Sequence, residues 1–299
     1  MAGLGPHLLG GLCALGAGAC WALASVIFGR LGRTVAPLGL NLGKGLLALA
    51  CLGAALGVDG LEPVGPRAWL LLGASGLVGI ALGDTVFFQA LRRLGPRRTL
   101  LMTTLIPALV ALLSFALLGE RLEARAWLGA LVTVAGVTWT LWERLPEGED
   151  AGSWRQGIGY GLLTVATCAA AVMFSKVALA EVRPLQATAM RLLCAVLALL
   201  GWGLARGQLL TWLSPLRERR TLLGLCLAAF VGTFLGMWLS QASLWFTSAT
   251  VATILSATDP IFVLPLAALV MGERLRLRPV LGALLSLAGV ALLLARQGP

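Results

Sequence analysis

Long apolar runs dominate this sequence and constrain its fold more than any other feature. Ten runs are each near twenty residues long, which is the length of a helix that crosses the roughly 30 Å hydrocarbon core of a bilayer. A transmembrane barrel would instead need segments of about ten residues that alternate apolar and polar side chains. The sequence therefore predicts an all-α integral membrane protein with ten transmembrane helices. The predicted spans are Leu8 to Phe28, Leu38 to Val58, Ala68 to Ala90, Thr99 to Leu118, Ala126 to Trp142, Gly157 to Ala180, Leu185 to Ala205, Thr221 to Trp245, Thr247 to Met271 and Leu277 to Ala295.

Composition supports this assignment. The chain of 299 residues is 59% hydrophobic and only 12% charged, whereas a soluble domain carries about 25% charged residues. The formal net charge is +10, but the basic residues fall mainly between the apolar runs, where they orient helices and meet anionic lipid headgroups. We therefore expect a lipid bilayer, and no nucleic acid, as a partner.

The six cysteines lie inside apolar runs and form no CxxC pair. They are expected to act as small packing residues, so neither a disulfide framework nor a zinc site is predicted. We expect no cofactor and no bound metal.

An internal repeat divides the chain in two. Residues 107–137 match residues 260–290 at a constant offset of 153, aligning the Gly-Glu-Arg-Leu sequences that begin at Gly119 and Gly272. The Gly79-xxx-Gly83 pair matches Gly232-xxx-Gly236 at the same offset, while residues 37–44 match 184–191 at an offset of 147. Small-xxx-small pairs let helices approach closely, so these glycines are expected to pack helices.

Five predicted spans in each copy imply that the copies cross the bilayer in opposite senses. We predict a first repeat at residues 8–142, a linker at 143–156 and a second repeat at 157–296. Inverted repeats are typical of secondary transporters, in which the two halves expose a site near the midplane to either side in turn.

The repeated Gly-Glu-Arg-Leu turn, followed by Leu-Gly-Ala and Ala-Gly-Val, resembles the EamA module of the drug/metabolite transporter (DMT) superfamily. Pro107 and Pro260 in the fourth and ninth spans also fit that pattern. The resemblance covers residues 8–296 and implies a ten-helix bundle around a central cavity. It further implies transport of small metabolites such as amino acids, often outward.

Charged residues inside spans mark candidate functional positions, because a charge at the bilayer centre costs about 2.5–3.5 kcal/mol on insertion scales. Lys44 and Asp84 are predicted to lie at similar depths from the same membrane face and to form an ion pair. This pair could be a static structural contact or could serve gating or proton coupling.

Arg191 occupies the position of Lys44 in the second repeat, but the counterpart of Asp84 is Met237. Asp259 is the other available carboxylate, although about 9 Å of depth separates it from Arg191. A bridging water or an anionic substrate group could fill that gap, or Arg191 could extend to the interface. Lys176 is expected to extend in that way.

Other polar and aromatic residues at span interiors suggest an amphipathic or aromatic metabolite as substrate. The full set of candidate substrate-binding or coupling residues is Trp21, Ser25, Lys44, Asp84, Gln89, Thr103, Phe174, Arg191, Trp238, Gln241, Thr258 and Asp259.

Two arguments about orientation disagree. More basic residues follow the odd-numbered spans than the even-numbered ones, which would place both termini outside, whereas the family resemblance implies that both lie inside. The scarcity of lysine relative to arginine suggests a bacterial origin, hence a multi-pass protein of the inner (plasma) membrane, as a monomer or weak homo-oligomer.

A secondary transporter, most simply an exporter, is the favoured function. The alternatives are a flippase subunit for lipid-linked substrates and an intramembrane enzyme. No HExxH, GxSxG or nucleotide-binding motif occurs in the sequence, so an enzyme or an ATP-driven pump is disfavoured.

Overall fold

The computed structural model describes residues 5–118 and 151–257, together with isolated positions at 128, 131–132, 135, 139, 262, 281, 284–285 and 288. Throughout this described part the chain is almost entirely helical and has no β-strand. The predicted all-α class is confirmed. The helices are α1 (Pro6–Leu31), α2 (Pro37–Asp59), α3 (Pro66–Ser75), α4 (Gly83–Thr103), α5 (Ile106–Leu118), α6 (Ala151–Ala178), α7 (Pro184–Ala205), α8 (Leu209–Leu213), α9 (Arg219–Ala228), α10 (Gly236–Phe246) and α11 (Ala249–Ser256).

Proline sets the start of four long helices. Pro6, Pro37, Pro66 and Pro184 each occupy the first turn of their helix. The fixed φ of proline suits that position, and the N–H that it lacks would have no partner there in any case. The sequence therefore determines where α1, α2, α3 and α7 begin.

The third and fourth spans meet at a sharp turn. Helix is nearly continuous from Pro66 to Thr103, and at 1.5 Å per residue this length would be about 57 Å, almost twice the thickness of the bilayer core. Gly95 interrupts it with φ 77° and ψ 167°, a conformation that glycine adopts without a Cβ penalty. Pro96 then starts the next helical segment.

Two π-helical segments break the regular helices. The first, π1, covers Gly76–Leu82 between α3 and α4, and the second, π2, covers Ala229–Leu235 between α9 and α10. They lie at the offset of 153 found in the sequence repeat. Because π-helical turns are rare and concentrate at functional sites, their recurrence indicates that this part of each repeat is a candidate functional region.

Helix α1 packs against the second repeat. Gly16 lies against Leu239, and Gly224 lies against Leu31. The residue numbers on one partner rise as those on the other fall, so α1 runs antiparallel to the helix formed by α9, π2 and α10.

Helix α6 packs in the same way against the first repeat. Gly157 lies against Leu94, and Gly79 lies against Ala171. Helix α6 therefore runs antiparallel to the helix formed by α3, π1 and α4, and each repeat contributes its first helix to the other.

Six helices within the described residues are long and apolar enough to cross a membrane, and Ile106–Leu117 is a shorter apolar helix. Large apolar side chains remain exposed on their outer faces, as expected where lipid rather than water is the surrounding medium. Examples are Leu70, Leu117, Leu197, Leu204 and Leu223, each at least 57% exposed.

The described helices differ from the predicted spans mainly at their ends. Helix α6 begins at Ala151, six residues before the predicted start and inside the predicted linker at 143–156. The eighth and ninth spans separate at Thr247 and Ser248, where the Ser248 side chain accepts a hydrogen bond from the N–H of Val251 and caps α11. Most of the fifth and ninth predicted spans, and of the tenth, lie outside the described residues.

Candidate functional site

A cavity of about 200 Å³ lies between the two repeats. Residues from α1, α2, π1, α4 and α5 form one part of its wall, and residues from α6, α7, π2, α10 and α11 form the other. The lining is mainly apolar with a few charged and polar groups, which is the usual character of a small-molecule site. Its volume is below the roughly 300–1,000 Å³ of pockets for drug-sized ligands, so it suits a small metabolite.

Asn41 fixes α2 against the first π-helical segment. Its Nδ2 donates hydrogen bonds to the backbone oxygens of Ile80 (2.8 Å) and Ala81 (3.2 Å) and to Oγ1 of Thr85 (2.9 Å). A π-helical turn disturbs the regular i to i−4 bonding and leaves carbonyls for such donors. The contact determines the register of α2 beside the start of α4.

Lys44 and Asp84 form the predicted ion pair, which confirms that expectation. Lys44 lies one turn beyond Asn41, and its Nζ is 2.5 Å from Oδ2 of Asp84 in the first turn of α4. The Lys44 side chain is 3% exposed and that of Asp84 is 20% exposed. Nζ also lies 5.8 Å from the centre of the Phe88 ring. Lys44 is therefore neutralised in place, and the carboxylate faces the cavity.

Arg191 reaches the same cavity from α7 without an equivalent partner. Its Nε is buried and has no hydrogen-bond partner among the described residues. The structure places Gly79 of π1 beside its guanidinium group, since a Cβ at Gly79 would lie 3.5 Å from Nη2. Asp84 lines the same cavity, but its carboxylate is already bound to Lys44. Among the described residues, the cavity therefore holds one cation with an ion-pair partner, Lys44, and one without such a partner, Arg191.

Gln241 on α10 presents a second unpaired polar group. It is fully buried, and neither Nε2 nor Oε1 has a hydrogen-bond partner among the described residues. A buried amide without partners is unfavourable, and most such groups are satisfied in folded proteins. Because Gln241 lines the cavity, a bound molecule could supply the missing hydrogen bonds.

The fourth span is interrupted where it meets the cavity. Helix α4 ends at Thr103 and α5 begins at Ile106. Pro107 has no N–H to bond the carbonyl of Thr103, four residues earlier. Helix α11 ends at Ser256, the position that corresponds to Thr103 at the offset of 153. Thr103 and Ser256 both line the cavity, and an interruption like the one between Thr103 and Ile106 is common at the binding sites of secondary transporters.

Several predicted site residues meet at this cavity, and others do not. Trp21, Ser25, Lys44, Asp84, Thr103, Arg191 and Gln241 line it. The Nε1 of Trp21 donates to the backbone oxygen of Gly232 in π2 at 3.1 Å. Ser25 donates to the backbone oxygen of Ala22 at 2.8 Å. Thr258 and Asp259 lie outside the described residues.

Three predicted residues lie away from the cavity wall. Oε1 of Gln89 accepts a hydrogen bond from Arg93, one turn further along α4, at 2.5 Å. Trp238 stacks on Phe234 with ring centres 6.2 Å apart and is 36% exposed. Phe174 is half-buried on α6 and does not line the cavity.

Lys176 binds the end of a neighbouring helix. Its Nζ donates to the backbone oxygens of Leu244 and Thr247, each at 2.7 Å. These carbonyls lie at the end of α10, where helical carbonyls lack backbone partners and a cation is favourable. Lys176 therefore holds the junction between α10 and α11.

Sequence reasoning missed several lining residues, among them Phe28, Phe88, Cys168, Thr233 and Thr253. The offset of 147 between α1 and α6 would have identified one of them, because Cys168 corresponds to Trp21. Among the described residues, no group of three or more His, Cys, Asp or Glu side chains could hold a metal ion.

Taken together, these features define a multi-pass membrane protein with two structural repeats around a partly polar cavity. The sequence matches the EamA-like transporter family over residues 8–142 and 155–295. The chain belongs to this family of membrane transporters.

Solved structures support the fold. One, described as a crystal structure of a protein, is similar with a TM-score of 0.72 at 19% sequence identity, covering 97% of this chain and 98% of that one. At this identity the likeness concerns the fold alone. No curated protein matches the sequence.

Proposed function

We propose that this protein is a secondary transporter that exports small amphipathic metabolites, amino acids among them, across a bacterial inner membrane. The observation that carries the proposal is the cavity between the two repeats, lined by Lys44, Asp84 and Arg191. Charges buried in membrane spans mark polar pathways, and a small cavity with aromatic walls fits a metabolite with an apolar part.

The proposed architecture is ten transmembrane helices in two inverted repeats. The antiparallel packing of α1 on the second repeat and of α6 on the first supports this arrangement. In such a transporter, the repeats rock against each other and expose the cavity to either side in turn. The helix ends at Thr103 and at Ser256 would provide the points at which the wall can change.

Proton coupling would assign a second role to Asp84. Its carboxylate is the acidic group on the described part of the cavity wall, and its protonation would release Lys44. If protons are coupled through this group, the Asp84→Asn variant should still exchange substrate across the membrane. It should no longer accumulate substrate when a pH gradient is applied. Unchanged gradient-driven transport would leave the ion pair with a structural role.

The direct test is reconstitution of the full-length protein into liposomes with a panel of labelled amino acids, nucleosides and sugar phosphates. We expect exchange of a small metabolite that protein-free liposomes do not show. A fluorescent lipid reporter is measured in the same vesicles. Scrambling of the lipid without metabolite exchange would overturn the transporter in favour of a flippase.

A further inference from the structure

Arg191 and Gln241 lie at similar depths on neighbouring helices. Arg191 is seven residues beyond the start of α7 at Pro184, and Gln241 is five residues before the end of α10 at Phe246. The antiparallel packing and the short α6–α7 connection place these two helix ends on the same membrane side. At 1.5 Å per residue, the two positions are about 10 Å and 8 Å from that side.

Both side chains lack partners where they meet the cavity. The Nε of Arg191 is buried and has no hydrogen-bond partner among the described residues. The Nε2 and Oε1 atoms of Gln241 are also buried and have no such partner there. A guanidinium group offers donors in a planar fork that matches a carboxylate, and an amide adds a further donor and an acceptor. The two side chains together provide what an organic acid needs.

Charge balance selects a singly charged ligand. Among the described residues that line the cavity, Lys44 and Arg191 are cationic and Asp84 is anionic. Within this described part of the wall, one cation has no counterion, and one carboxylate would neutralise it. A phosphate monoester carries nearly two negative charges at neutral pH and would leave the cavity with an excess of negative charge.

Met237 stands where a partner for Arg191 would be expected from the first repeat. It occupies the position that Asp84 has in the first repeat, at the offset of 153, and it also lines the cavity. A carboxylate at this position would give Arg191 the same kind of partner that Lys44 has. The methionine instead leaves the guanidinium group available and adds an apolar surface.

We propose that Arg191 and Gln241 form a binding site for the carboxylate of the transported molecule, and that Met237 keeps this site open. The inference rests on the proposed transport function and specifies its substrate class as small organic acids with one carboxylate and an apolar remainder. The carboxylate is held by Arg191 with support from Nε2 of Gln241, and the apolar part lies against the aromatic wall near Trp21 and Phe88.

The test compares three probes of the same shape in proteoliposomes that contain the full-length protein. The probes are 4-methylpentanoate, L-leucine and L-leucinamide, of which the first two carry a carboxylate and the third does not. Each probe is tested as an inhibitor of the transport of the cargo identified in the reconstitution panel. We expect 4-methylpentanoate, with one net negative charge, to compete most strongly with that cargo, and L-leucine, whose ammonium group cancels the charge, to compete less strongly. L-leucinamide, which has no carboxylate, should be at least about tenfold weaker than L-leucine.

Four variants test the residues. Arg191→Gln and Met237→Asp are expected to lower carboxylate affinity by about 10- to 100-fold, the range for loss of a charge-assisted hydrogen bond. Met237→Leu, which alters the side chain without adding a charge, is the matched comparison for the second and should lower affinity much less than Met237→Asp. Gln241→Leu is expected to lower affinity by a smaller factor, about tenfold.

To check that each variant is folded, we expect it to elute as a single species in gel filtration and to show a thermal unfolding transition in detergent. A shift of the unfolding temperature with 4-methylpentanoate gives a second measure of binding, which we expect Arg191→Gln to lose.

The outcomes separate this inference from the transport function. Three results would overturn the carboxylate site but not the transporter. They are unchanged exchange in the Arg191→Gln variant, inhibition by L-leucinamide as strong as that by L-leucine, and a preference for a sugar phosphate as cargo. Absence of exchange for every compound in the panel would overturn the transporter itself.

Discussion

The two repeats place a basic residue at the same position of corresponding helices, yet they treat it differently. In the first repeat, Lys44 is bound to Asp84. In the second, Met237 occupies the position of Asp84, and the Nε of Arg191 has no partner among the described residues. Within the described residues, the same helical framework thus contains a neutralised cation in one half and a cation without an ion-pair partner in the other. The two repeats therefore share the same helical arrangement, but single residue differences at corresponding positions give their basic residues different environments.

The junctions between helices differ in a similar way. In the first repeat, Gly29 on α1 packs against Pro96 at the turn marked by Gly95. In the second repeat, the residue at the position of Gly29 is Lys176, which binds the carbonyls at the end of α10. One junction is held by close backbone packing, and the other is held by a charge.

The largest expected effect comes from removing the partner of the neutralised cation. Asp84→Asn leaves the buried Lys44 without a counterion, and breaking a buried pair in this way typically costs about 3–5 kcal/mol. We expect the free energy of unfolding in detergent to fall accordingly. The double variant Lys44→Met with Asp84→Asn should recover most of the loss. If the single variant were as stable as the wild type, the two repeats would not differ in the way described.

The second junction provides a smaller effect. Lys176→Met removes two hydrogen bonds from a charged donor, and the loss of a bond of this kind is worth about 1.5–3 kcal/mol. We expect lower stability and faster protease cleavage near Thr247, because the ends of α10 and α11 lose their common partner. Lys176→Arg, which retains the charge and the donors, is the control. Equal stability of the methionine and arginine variants would contradict this role.

Close packing between the repeats can be tested with a single methyl group. A Cβ at Gly79 would lie 2.5 Å from the Cβ of Ala171, whereas nothing lies within 4 Å of a Cβ at Gly201. Gly79→Ala should therefore cost about 1–3 kcal/mol through overpacking, measured as the free energy of unfolding. Gly201→Ala is the control and should be neutral or stabilising, because alanine favours helix over glycine. A neutral Gly79→Ala would mean that α6 can move away from π1 at no cost.

The sequence predicted the elements of this comparison better than it predicted their local geometry. Apolar runs located the helices, and depth along the spans was sufficient to pair Lys44 with Asp84. The π-helical turns were not predicted, because a run such as Gly76–Leu82 has no side chain that distinguishes an i to i−5 bond from a regular one. The position of Gln89 was also beyond reach, because its hydrogen bond to Arg93 depends on side-chain conformation.

The smallest expected effect concerns the cavity wall at Trp21, whose counterpart in the second repeat is Cys168. Trp21→Phe keeps an aromatic ring but removes the hydrogen bond from Nε1 to Gly232, so we expect stability to fall by about 0.5–1.5 kcal/mol. Because π2 is then less firmly attached to α1, exchange of the cargo should change more than its affinity does. Both are measured in proteoliposomes, with Trp238→Phe, which lies away from the cavity, as the control. If Trp21→Phe and Trp238→Phe behaved alike, the hydrogen bond to π2 would have no part in holding the two repeats together.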